Sequence, residues 1–186
     1  MARRRAFVPQ RLPVFLACEG LSERGYGRWL SKLAVTHGML VALRADDLGG
    51  GDPLVLVTEA IRKWKRADPA GGVFRLRALL LDGDRFGDNA NRDELAFTRA
   101  RKNRFLLIQQ RPSHEAFLLR HFPRQQTRKP VDSKASLRML KRVWPDYEKG
   151  KMDATHYERI LSLAHLTRAR SVEPELDRFL NLMGWK

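Results

Sequence analysis

Four short apolar runs, at residues 13–18, 39–43, 76–81 and 105–110, are separated by segments whose apolar residues recur with helical spacing. None of the runs alternates strictly between apolar and polar residues, the pattern of strands buried on both faces. Between them, Tyr26, Trp29, Leu30, Leu33 and Ala34 form one helical stripe, and Val57, Ala60, Ile61 and Trp64 form another. A third, weakly apolar helix near residues 91–103 is expected to be exposed. Strands alternating with helices predict an α/β fold: a Rossmann-like, four-stranded, mainly parallel sheet with right-handed crossovers, flanked by helices. Gly49-Gly50-Gly51 and Gly71-Gly72 mark loops.

After the fourth run the pattern turns wholly helical. A helix over residues 113–122 is followed by a polar, proline-containing basic loop at 123–132, expected to be mobile. Further stripes lie at Leu137, Leu140 and Trp144, at Tyr157, Ile160, Leu161 and Ala164, and at Leu176, Phe179, Leu180 and Met183. These predict a C-terminal helical extension. With 186 residues, the chain suffices for one principal core and not for two separate ones. The division expected is an α/β core over 1–125 and a basic loop with helical extension, packed on it, over 126–186. No internal repeat or low-complexity tract is present beyond an arginine-rich start.

Thirty-six Lys and Arg against twenty-one Asp and Glu give a net charge of +15, a field that attracts polyanions. Residues 99–142 hold thirteen of the basic residues against Glu115 and Asp132, a local excess of +11. Clustering of one sign favours a phosphate-binding face over a merely solubilising surface, which intersperses both signs. Nucleic acid is the expected partner.

Cys18 is the single cysteine, which excludes an internal disulfide and a cysteine zinc cluster and is compatible with a reducing cytoplasm. It is expected to pack at a strand end. Met1-Ala-Arg-Arg-Arg is similar to a signal n-region, but Pro9, Gln10, Arg11 and Pro13 interrupt the apolar run that export needs. No segment approaches the about 20 apolar residues of a membrane span. A cytoplasmic protein without membrane contact is expected.

The carboxylates carry the chemistry. Glu19 follows the first strand and the pair Asp82 and Asp84 ends the third, so in a parallel sheet all three lie at the carboxyl edge. If the chain starts at the centre of the sheet and reverses after its second strand, strands one and three flank the switch point where ligands bind. Neighbouring carboxylates resist common ionisation unless a cation compensates, so the cluster suits Mg²⁺ or Mn²⁺. Each element alone has an ordinary alternative, because Asp-Gly-Asp is common in turns and a Glu-Gly step can simply end a strand. Glu23 is a further candidate ligand, or only a favourable acid in a first helical turn.

These residues also carry a resemblance. Cys18-Glu19-Gly20-x-Ser22-Glu23, followed by Leu81-Asp82-Gly83-Asp84, resembles the Glu-Gly and Asp-x-Asp signatures of Toprim domains, and more narrowly the RloB-like family. That family follows its fourth strand with an Asn/Ser-Pro-Cys-Phe-Glu-x-Trp-Leu-Leu-Leu-His-Phe-like segment. Here the segment reads Arg111-Pro112-Ser113-His114-Glu115-Ala116-Phe117-Leu118-Leu119-Arg120-His121-Phe122. Tyr147 and Lys149 match a later tyrosine–lysine pair, extending the resemblance over roughly residues 13–170. Ser113 and His114 stand where the family has Cys-Phe, and Arg111 replaces a small polar residue, departures that centre on the pocket around Glu115. The resemblance implies a Toprim-type, metal-dependent nuclease of phage-defence loci, often partnered by an AAA or ABC-type ATPase. It also implies roles: Glu19 near the scissile phosphate or as a ligand, Asp82 and Asp84 as Mg²⁺ ligands, and Glu115 completing or orienting that shell.

The remaining candidates concern substrate. Arg85 either neutralises a phosphate oxygen or satisfies Asp82, while Arg111, Arg124, Arg128, Lys129 and Lys134 are expected to hold the nucleic-acid backbone. His121 is carried as a candidate phosphate contact, but a core or capping role weighs more for it. It lies seven residues from His114, about 10.5 Å along a helix, too far for the two to share a metal. Trp64, Trp144 and Trp185 are expected to anchor cores, and His156 and His165 are given no role. The absence of Gly-x-x-x-x-Gly-Lys-Ser/Thr and Gly-x-Gly-x-x-Gly argues against a P-loop ATPase and a dinucleotide-binding domain. Two rivals to a nuclease stand: a binding subunit of the same fold without chemistry, and a phosphoacceptor domain.

Overall fold

A computed structural model describes residues 10–185, so the arginine-rich start lies outside the described residues. The chain runs β1 (Leu12–Cys18), α1 (Leu21–Thr36), β2 (Val41–Asp47), α2 (Pro53–Ala67), β3 (Leu76–Asp82), α3 (Ala90–Lys102) and β4 (Phe105–Gln110), then α4 (His114–Leu119), α5 (Ser133–Val143), α6 (Ala154–Ile160), α7 (Leu163–Arg170) and α8 (Pro174–Met183). The four strands form one sheet of order β2-β1-β3-β4 with every pair parallel. The topology reverses between β2 and β3, so β1 and β3 are the central strands flanking the switch point.

Successive strand side chains point to opposite faces, and this divides the apolar residues into two cores. Val14, Leu16, Ala78, Leu80 and Ile108 face Tyr26, Trp29 and Leu30 of α1 together with Trp144, Phe179 and Leu180 of the C-terminal region. Phe15, Ala17, Leu79 and Leu81 face Leu56, Val57 and Trp64 of α2 and Ala96 and Ala100 of α3. The helices beyond residue 126 therefore share one continuous core with the sheet. Cys18 packs at the end of β1, fully buried, and the three tryptophans named above are buried in the cores. No helix among the described residues is long and apolar enough to cross a membrane.

Local signals set the helix starts. Asp52 caps α2 by accepting from the amide of Leu54 at 3.0 Å, with Pro53 in the first turn. Asn89, Asp132 and Asp153 cap α3, α5 and α6 in the same manner. His156 and His165 each sit at the third position of a capping box.

Several expectations need correction. β2 begins at Val41 and continues through Asp47: it is an edge strand, so Ala42 and Arg44 face solvent and polarity does not end it. Its seven residues pair with β1 from Leu12↔Val41 to Cys18↔Asp47. Burial on both faces holds for the later residues of β1 and β3 and not for the edge strands. α3 exposes most of its surface but buries a narrow stripe of Asp93, Ala96 and Ala100. α4 is a single short helix that ends at Leu119 in turns. The stripe at 157–164 is split, because Leu161 is extended and Ser162 starts α7, leaving Ile160 and Ala164 exposed.

Glycine in a helix interior is destabilising by about 0.5–1 kcal/mol relative to alanine, yet α1 contains two. Close approach explains both. A Cβ at Gly27 would stand 2.9 Å from Ala45 Cβ and from Leu16 Cδ2, and one at Gly25 would overlap the backbone carbonyl of Met152. Gly25→Ala should therefore destabilise the protein by about 1–3 kcal/mol despite its better helix propensity, as a lower urea midpoint with an unchanged slope would register.

Candidate functional site

The parallel pairing of β1 with β3 sets the site. Leu80 is opposite Cys18 in the ladder, so Glu19, the next residue, stands level with the end of β3. Its amide donates to Leu80 O at 3.1 Å, and its Oε2 accepts from the amide of Asp82 at 2.9 Å. Asp82 is buried, and its Oδ1 accepts from the amide of His114 at 2.6 Å, at the start of α4. Glu23, in the first turn of α1, is also buried. Its Oε2 lies over Gly20, where a Cβ would be only 3.1 Å away.

These three acids share one electrostatic environment. Burial, joined by the charges of Glu23 and Asp84, pushes Glu19 up to about 7, against the Asp82 amide and Arg85, which hold it down. Burial first, then Glu23 and Glu19, raises Asp82 to about 9, opposed by Lys149. Glu23 is raised by burial and then by Glu115. Asp84 and Glu115 stand apart from this trio in their bonding. Asp84 is exposed at the rim and accepts from Ser133 Oγ at 2.7 Å.

Glu115 is almost wholly buried and is enclosed by donors: Ser113 Oγ at 2.8 Å, Tyr147 OH at 3.1 Å and Lys149 Nζ at 3.3 Å. Burial alone would raise it, but His114, then Lys149 and the Ser113 hydroxyl, outweigh burial and hold it below the ordinary carboxylate range. Burial would likewise lower Lys149, but Glu115 and Asp82 keep it raised. The tyrosine and the lysine thus meet on one carboxylate.

Among the described residues, no group of three or more His, Cys, Asp or Glu side chains is arranged to hold a metal ion. The chemistry of the donor set nevertheless fits a hard divalent cation. Glu19, Asp82 and Glu23 offer only oxygen ligands, and they crowd carboxyl groups that burial and one another's charge keep from ionising together, a strain such an ion compensates. Asp84 would have to leave Ser133 to join them.

Gly83 connects the acids to a groove of about 1000 Å³. Its amide donates to Gln110 O at 2.8 Å and Pro112 O at 3.1 Å, and a Cβ there would press on Arg111 Cγ at 3.0 Å. The groove wall carries Arg111, Arg120, Arg128, Lys129 and Glu173. Three of the residues expected to hold the nucleic-acid backbone thus line it. Arg124 and Lys134 are exposed elsewhere, and Arg85 is exposed beside Glu19. Arg120 was not anticipated as a site residue: it is ion-paired with Glu173 and donates to Arg111 O at 2.7 Å. The partners are 53 residues apart, and no local pattern announces such a pair.

His121 is corrected. It is fully buried, with Nε2 2.9 Å from Tyr26 OH and Nδ1 donating to Phe117 O at 3.0 Å. It cannot touch phosphate, and burial lowers it to about 3, so it is neutral. His114 is buried too, between Gln110 at 2.7 Å and Tyr157 OH at 2.9 Å. This polar network was not foreseen, because its members look like core aromatics in the sequence.

In comparisons with family models, with curated proteins and with solved structures, nothing matches this chain.

An acid raised in the folded state keeps its proton longer there than in the unfolded chain. Its stability contribution is complete below the unfolded value and is lost as pH rises through the folded one. With Glu19 near 7 and Asp82 near 9, the chelated protein should lose stability from about pH 4 to about pH 9. Asp82→Asn keeps the oxygen that accepts from His114 and cannot ionise. At pH 8 in chelator it should be more stable than the native chain, whose unfolded state is favoured by release of the Asp82 proton. Urea titrations at both ends of the range test this; a flat profile and a less stable variant would contradict it.

Proposed function

We propose that the chain is a Mg²⁺- or Mn²⁺-dependent nuclease that cleaves phosphodiester bonds of DNA or RNA. The observation that carries this reading is the juxtaposition, across Gly83, of the Glu19–Asp82–Glu23 crevice with a groove lined by Arg111, Arg128 and Lys129. An all-oxygen anionic crevice suits a divalent cation, and a cationic groove suits a polyphosphate backbone.

In this reading Glu19 and Asp82 hold the cation, with Glu23 beside them and Asp84 available from the rim. Bound Mg²⁺ or Mn²⁺ supplies Lewis acidity and a pool of acidified water. The Asp82 amide keeps the Glu19 carboxylate at the crevice, and the amide of His114 fixes Asp82 from the other side. Glu115 and Lys149 act from behind: Lys149 tempers the negative charge around Asp82 without occupying a ligand position. Arg85, next to Glu19, is positioned to meet a phosphate oxygen. Arg111, Arg128 and Lys129, which line the groove, hold the backbone.

The RloB-like resemblance supports a role in phage defence and a separate AAA or ABC-type ATPase as partner, and a single reducing-compartment cysteine supports a cytoplasmic setting. The same charges serve a non-catalytic binding subunit, so the decisive assay measures product. Purified protein incubated with labelled DNA and RNA should give Mg²⁺- or Mn²⁺-dependent fragments that chelator abolishes. Glu19→Gln and Asp82→Asn should fall to the chelator background while still binding nucleic acid, and Lys149→Met should lose about 10–100-fold. Salt-sensitive binding without any metal-dependent product would leave the binding subunit.

A further inference from the structure

A second hollow, of about 490 Å³, wraps the amino end of β4 between α3 and α8, at the sheet edge opposite the carboxylates. Arg77 from β3, Arg101 from the last turn of α3, Arg104 from the turn into β4 and Arg178 from α8 line it. Glu175 is the acid among its lining residues. Among the described residues, none of the four guanidinium groups has an ion pair or a side-chain hydrogen bond.

Arg77 is the most constrained of them. Its guanidinium lies 4.2 Å from the centre of the Trp64 ring, and its Nε is buried without an acceptor. Burial, and after it the charge of Arg104, press it below the ordinary arginine value. Asp68 is within electrostatic reach, but its oxygens are committed to the amides of Gly72, Val73 and Phe74. A half-buried guanidinium with an unfilled donor and a cation for a neighbour favours an external anion.

The hollow is not isolated. Glu175 also lines the groove that opens at Gly83, so the two meet along β4 and the first turn of α8. At about 3.3 Å per residue, β4 separates their far ends by about 20 Å. Phe97, Leu106 and the exposed Leu182 add an apolar wall beside the arginines. Cationic residues tracking a backbone beside apolar and aromatic surface is the way proteins hold single-stranded nucleic acid.

We infer that the two hollows form one track, on which a single-stranded polynucleotide engaged at the Glu19–Asp82 crevice lays a distal phosphate on Arg77, Arg101, Arg104 and Arg178. This deepens, and rests on, the nuclease reading above. The track defines a minimum substrate length: a strand too short to span β4 never reaches the distal arginines.

The test measures binding in chelator, where no cleavage intervenes. Single-stranded oligonucleotides of about 4 and about 16 nucleotides, the range that single-strand sites occupy, are titrated at several salt concentrations. The native chain is compared with a triple variant, Arg101→Gln/Arg104→Gln/Arg178→Gln, whose three positions are exposed. The salt dependence for the longer strand should fall by about two in slope, at about 0.7 for each phosphate that is no longer neutralised, and the shorter strand should show no such fall. Photo-crosslinking of the longer strand to the native chain should map to Phe97, a readout independent of any variant. Equal slopes, or crosslinks confined to the Gly83 side, would overturn the track. Binding of poly-glutamate that the triple variant loses, with oligonucleotide binding intact, would instead give the hollow to an acidic protein and overturn it as well. The nuclease reading fails separately, by a lack of metal-dependent product from a chain that still shows the slope change.

Discussion

Glu19 and Asp82 are joined by a single hydrogen bond, from the amide that ends β3 to the carboxylate that follows β1. The rest of the site is arranged around that bond. It exists because the central strands are parallel and in register, with Cys18 opposite Leu80. Because β1 and β3 end together, α1 and the loop after β3 leave from the same point, carrying Glu23 and Asp84 with them. A slip of one residue would turn Asp82 away from the face where α1 and α4 pack. The bond also partly offsets the burial that raises Glu19, so the strand ladder and the ionisation of the site are one physical problem.

A buried cluster of acids needs a counter-charge and hydrogen-bond partners, and the C-terminal extension supplies both. Lys149 and Tyr147 reach Glu115 from the turns between α5 and α6, and Tyr157 of α6 closes the polar network around His114. Gly150 donates to Ser22 at the start of α1 at 2.8 Å, tying those turns to the crevice. The extension is therefore part of the site and of the core that positions it. Removing one member of such a buried, hydrogen-bonded set leaves its partner unpaired, which costs more than the bond itself contributes.

The alternation of buried strands with helical stripes was legible because each element repeats a local rule, and the position of the acids at strand ends followed once the strands were parallel. Edge strands were harder to read: β2 runs on through Arg44, Asp46 and Asp47 because one of its faces needs no apolar residues. The break at Leu161 was hidden because the apolar residues before and after Ser162 keep helical spacing across it. At the site, Glu19 and Asp82 could be placed from strand ends, whereas the inward turn of His121 depends on Tyr26, 95 residues away. A histidine four residues beyond Phe117 on a basic segment looks the same from the sequence whether it faces solvent or core. Tyr147 and Lys149 stood out in the sequence only through a resemblance, and their shared partner Glu115 emerged from the fold.

The opposition of charges has a consequence for how such a site would work. A chain of net charge +15 draws polyanions to its surface, but a phosphate arriving at the crevice above about pH 7 meets an ionised Glu19. Two like charges at 4 Å repel by about 4 kcal/mol at an effective dielectric constant of 20, enough to offset several surface arginines. A divalent cation in the crevice reverses that sign and draws protons off Glu19 and Asp82 together. On the nuclease reading, metal and backbone therefore favour one another by linkage: without the ion the groove holds the strand but the acids push its phosphate away, and with the ion the same acids draw it in.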